Sequence, residues 1–147
     1  MIGLAVRLWR HINEPRTISV THALVYAVLT AVALYSLVVP PTTVEGAVGT
    51  FSMRLLAATL AVGGALGVPT ALAGIWWLER TAVTLVILSS AVYLAIILSL
   101  QVTGDPSSNR LLQAGFVFGM GALHFVRWHR VKQRPYDPDR VTSTPTD

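Results

Sequence analysis

Two stretches of this chain stay uncharged for longer than a bilayer is thick. Ile18–Val39 runs for 22 residues and Thr81–Thr103 for 23 without an Asp, Glu, Lys or Arg. About 20 such residues wound as a helix cross a hydrocarbon core. In lipid only helices and closed barrels satisfy their own backbone. The rest of the composition agrees. Of 147 residues, 53% are hydrophobic and 12% charged, and the mean hydropathy is +0.60. A soluble domain carries about 25% charge, and a chain this short cannot hide so much apolar surface in a core of its own.

Two further runs complete the pattern. Met53–Ile75 is apolar after Arg54, with Gly63, Gly64, Gly67 and Pro69 inside it. Leu111–Val126 is shorter, about 24 Å as a helix, so Arg110 and Arg127 are expected to snorkel from its ends. The expected fold is all-α, an integral membrane four-helix bundle with an amphipathic N-terminal helix. Its parts are a cytoplasmic amphipathic segment (1–17), a four-helix domain (18–127) and a basic tail (128–147). The spans cover about 18–39, 53–75, 81–103 and 111–126. Pro40-Pro41 stops the first span. A polar loop over 42–52 and the turn-formers of 104–109 make the other connections. The N-terminal segment sets Trp9, with Ile2, Val6 and Ile12, on one face of a helix and Arg7, Arg10 and Glu14 on the other, a pattern that lies flat among lipid headgroups.

The stretch "WWLER", residues 76–80, decides the topology. One helix through 53–103 would far exceed a bilayer, so a turn is expected here. Tryptophan favours membrane–water boundaries. Trp76 and Trp77, with Trp9 and Trp128, are therefore expected as interface anchors, and Glu79 and Arg80 as a solvated pair at a cytoplasmic turn. The N-terminal segment, this turn and the tail hold nine of the 11 Lys and Arg residues, leaving Arg54 and Arg110 for the other side. An excess of Lys and Arg marks the cytoplasmic side, so both termini are expected there.

Candidate chemistry is sparse. With no cysteine, thiolate metal sites and disulfides are excluded. No acid lies inside an expected span, which disfavours a proton-coupled pump. His22 and His124 fall near the cytoplasmic ends of spans one and four, where two histidines can hold a haem or metal; the plainer expectation is interfacial side chains reaching headgroups and backbone. No nucleophile–base pair, phosphate loop or metal-spaced cluster is present, so neither enzyme activity nor a cofactor is expected. Small residues recur at helical spacing: Ala57, Ala61 and Ala65; Gly63, Gly67 and Ala71; Gly115 and Gly119. Such ladders let helices approach closely in lipid, within one chain or between copies. Ser89, Ser90 and Tyr93 are placed to hydrogen-bond across helices.

"INEPRT", "PPTTVEGAVG", "WWLER", "NRLLQ" and "RWHR" followed by "DPD" together resemble a family of small four-span membrane proteins encoded by phages of actinobacteria. The resemblance covers most of the chain. It implies a phage or prophage origin and residence in the host cytoplasmic membrane, and it carries over no catalytic residue. Some such proteins are encoded near lysis genes, so a holin-like role in host-cell lysis is the expectation. The alternative is a non-lytic phage membrane protein, for superinfection exclusion or recruitment of a partner. The expected partners are the bilayer, further copies of the chain and a protein at the basic tail, not nucleic acid.

Overall fold

The structure is a computed structural model that describes residues 16–104 and 109–133. Among these residues it contains five helices and no strand: α1 Arg16–Val38, α2 Thr42–Val48, α3 Thr50–Ala73, α4 Trp76–Thr103 and α5 Leu111–Gln133. Three of them, α1, α3 and α4, are long and apolar enough to cross a membrane. The chain is all-α, as expected. The amphipathic segment with Trp9, and the tail beyond 133, lie outside the described residues.

The element boundaries correct the sequence reading in three places. The expected loop 42–52 holds the short helix α2, and Gly49 (φ 81°) separates it from α3. The tight turn is not "WWLER" but Gly74-Ile75. Gly74 takes a left-handed conformation (φ 70°), and its N–H and that of Ile75 both donate to the Thr70 carbonyl, at 2.9 and 3.2 Å. Glycine reaches that conformation without a Cβ penalty. Residues 76–80 are thus the first turn of α4. Finally, α5 runs for 23 residues, not 16. It is long enough to cross but is the least apolar of the four long helices, and it does not join the three membrane candidates.

The packing order is α1, α3, α4, α5. Helix α3 lies against α1 on one side and α4 on the other, and α5 lies along α4. Glycine makes the α3 contacts possible. A Cβ on Gly63 would stand 2.9 Å from the Leu85 Cβ on α4, and one on Gly64 would strike the Thr30 hydroxyl on α1. One on Gly67 would enter the Tyr26 ring. Ala71 continues the same face and is buried. Gly115 and Gly119 differ: nothing lies within 4 Å of a Cβ built on either. Among the described residues they pack nothing within the chain, because their side of α5 turns outward with Leu112 and Phe116. Pro69 sits inside α3 without ending it. The buried Thr70 hydroxyl beside it donates to the Leu66 carbonyl at 2.8 Å.

Candidate functional site

The most polar part of the interior lies at one end of the bundle, where α1 and α4 begin and α3 and α5 end. Glu79 is in the first turn of α4 and Arg127 in the last two turns of α5. An acid at a helix N-terminus and a cation near a C-terminus are each favoured by the helix dipole. Antiparallel packing of α4 and α5 brings them together. The Arg127 Nε and Nη2 both meet Glu79 Oε1. Their side chains are only 5% and 13% exposed, Glu79 first.

Glu79 is therefore not the solvated partner of Arg80. In a helix, neighbours in sequence point about 100° apart and cannot face each other. Once residues 76–80 are helical, Glu79 joins the inward stripe of Ala82, Val83, Val86 and Ser89, all buried. Arg80 turns outward, and its guanidinium carbon lies 5.6 Å from the centre of the Trp128 ring. Arg127, expected to snorkel outward, points inward for the same reason: it continues the α5 stripe of Ala114 and His124, both buried.

Two aromatic groups adjoin the ion pair. Tyr26, from α1, is fully buried over Gly67 and feels the charges of both Glu79 and Arg127. His124 is 3% exposed, and its ring centre lies 5.4 Å from that of Tyr26 at an angle of 65°. Its Nδ1 donates to the Met120 carbonyl at 2.9 Å, which leaves Nε2 as an acceptor. Nε2 is buried without a hydrogen-bond partner, and the buried Tyr26 hydroxyl lies beside the Arg127 guanidinium. Side chains such as these carry α1 to α5, since no Cα atoms of the two helices come within 8 Å among the described residues. His22 is close enough to act on His124 electrostatically, but its own Nδ1 bonds the Ile18 carbonyl at 2.8 Å. His124 is thus an interior residue, not one reaching for headgroups. Among the described residues no three His, Cys, Asp or Glu side chains converge as a metal set.

The remaining predicted residues divide. Trp76 and Trp77 are exposed, 44% and 62%, at the same end of the bundle. Trp128 is half-buried and packs against the core. Tyr93 bonds across helices, accepting from Gln113 Nε2 at 2.8 Å. The Ser89 hydroxyl is buried and unpartnered, and Ser90 sits 3.5 Å from where a Cβ on Gly121 would lie. The sequence reading missed the Tyr26–Glu79–His124–Arg127 cluster. The signal was present: the period of 3.6 residues that places Ala82, Val83 and Val86 inside also places Glu79 there. An ion pair within an apolar bundle can clamp helices together. Set against known proteins, the chain matches no protein family, no curated protein and no solved structure.

Proposed function

We propose that the chain is a non-enzymatic, multi-pass protein of a bacterial cytoplasmic membrane, crossed by four helices with both termini inside, that acts by self-association in holin-like permeabilisation. The phage family that the sequence resembles implies the setting. One observation carries the self-association: Gly115 and Gly119 form a small-residue step on α5 that the chain's own packing leaves open, flanked by outward Leu112 and Phe116. In lipid such a step lets a second helix approach closely. The fourth crossing is supported by contacts at both ends of the α4–α5 pair. Glu79 meets Arg127 at one end, and Gln101 Oε1 accepts from the Arg110 N–H at 2.6 Å at the other. Helix α5 therefore covers the slab that α4 covers.

A second reading has its own support. The Glu79–Arg127 clamp ties the end of the bundle shut, which suits a fixed module that excludes other phages or recruits a partner. One experiment separates the two. The chain is induced in a bacterial host while membrane potential is followed, with and without a co-expressed endolysin. Abrupt depolarisation, and lysis with the endolysin, is the expected result. An undisturbed potential at high membrane levels overturns the holin-like reading and leaves the fixed module. Gly115→Leu with Gly119→Leu should delay the collapse.

A further inference from the structure

Among the described residues Arg80 is a cation without a carboxylate. Its neighbour Glu79 is taken by Arg127, and among the described residues Arg80 makes no ion pair; it lies over the Trp128 ring. A cation over an aromatic face keeps its charge and its N–H donors, since the ring accepts no more than a weak share of them. Arg80 also forms one wall of a shallow, open cavity of about 230 Å³, completed by Thr81, Thr84 and Leu85. Pockets for drug-sized ligands begin at about 300 Å³ and are enclosed; this one is smaller and faces outward.

Its position says what kind of group it faces. At 28 residues, α4 is about 42 Å long, against a hydrocarbon core of about 30 Å. The excess places the first turns of α4 at headgroup depth, where Trp76 and Trp77 are exposed. Along the outer face, Trp77, Thr81, Thr84 and Leu88 follow one another at helical spacing, from interface to apolar interior. The Arg80 side chain leans toward the helix N-terminus, as helical side chains do, and so toward the headgroups. Arg16 belongs to the same end of the bundle, and among the described residues the acid there, Glu79, is already paired with Arg127.

We propose that Arg80 and Thr81 bind the phosphodiester of an anionic phospholipid, with an acyl chain lying along Thr84, Leu85 and Leu88. Basic pockets beside membrane helices take such headgroups. The partial positive charge at the α4 N-terminus adds to the attraction. The site rests on membrane insertion but not on lysis, and holds equally for either reading of function.

The test uses the purified full chain reconstituted in vesicles of phosphatidylglycerol and phosphatidylcholine, followed by native mass spectrometry of the lipids it retains. The wild type should keep phosphatidylglycerol in preference. Arg80→Gln should lower that preference about five-fold, Arg80→Lys should keep most of it, and Arg110→Gln, at the other end of the bundle, should leave it unchanged. Equal retention by Arg80→Gln overturns the site. Release of the lipid by millimolar inorganic phosphate overturns the lipid assignment in favour of a free anion. A second measurement needs no variant: brominated phosphatidylglycerol should quench the tryptophans at this end more than brominated phosphatidylcholine, and equal quenching counts against the site. Failure of the chain to float with vesicles is a separate outcome that removes membrane insertion itself.

Discussion

At the scale of residues, the buried ion pair carries the sharpest consequence. Two charges in an apolar interior contribute little net stability, because desolvation offsets their attraction, but removing one strands the other. Arg127→Met should therefore destabilise the fold by about 3–5 kcal/mol, while Glu79→Leu with Arg127→Met should come back to within about 1 kcal/mol of wild type. Reversible denaturation in detergent with the four variants of the cycle measures this; additive single effects would show that the two groups do not act as a pair. Gly67 makes a second case. Gly67→Ala pushes a methyl into the buried Tyr26 ring, an overpacking that costs about 1–3 kcal/mol. Gly115→Ala, with open space around it, should leave the melting temperature in detergent where it was. Both glycines stand in ladders of identical appearance in the sequence. Spacing reveals that a small residue is available for packing, but not whether the facing helix is in the same chain. The charge pair was hidden differently. Adjacent opposite charges read as a pair only while the backbone is unspecified, and a helical backbone points them apart.

At the scale of elements, the long helices were legible because a charge-free run of bilayer length has few other uses, while their ends depended on single residues. The α3–α4 turn rests on Gly74 at φ 70°, a conformation that costs a residue with a Cβ roughly 1–2 kcal/mol. Gly74→Ala should lower stability by that amount without changing the helix content seen by circular dichroism. Gly46, which sits inside α2 with open space around it and an ordinary φ, should show no loss on the same change, because alanine is the better helix former there. The tryptophans drew the turn to 76–80 because they favour interfaces, and they do lie beside it. An interface preference fixes depth, however, not secondary structure. Helix α5 shows the opposite failure. Its apolar run stops at Arg127, so a reading by charge ends it there. The helix continues through Gln133, since arginine is a good helix former and this one has an internal partner in Glu79.

At the scale of the molecule, the α4–α5 pairing makes a claim about sidedness. On the proposed reading α4 crosses the membrane and α5 returns across it, so that the count of crossings is even. Three crossings would put the termini on opposite sides; four put them together with the Gly74-Ile75 turn. The cysteine-free sequence allows a direct reading, since each introduced thiol is unique. A membrane-impermeant maleimide on intact cells should label Gly46→Cys and Asn109→Cys. It should reach Ile75→Cys and Asp147→Cys only after permeabilisation. Labelling of Asn109→Cys and Asp147→Cys together in intact cells would mean that α5 lies along the membrane instead of through it, and the Glu79–Arg127 pair would then have to form by some other route than two helices sharing one slab. The same thiols probe assembly. Gly119→Cys should form a disulfide-linked dimer under oxidising conditions if copies meet across the open face of α5, whereas Gly63→Cys, facing α4 within the chain, should not. A dimer from neither position would remove lateral association, and with it the physical basis for permeabilisation.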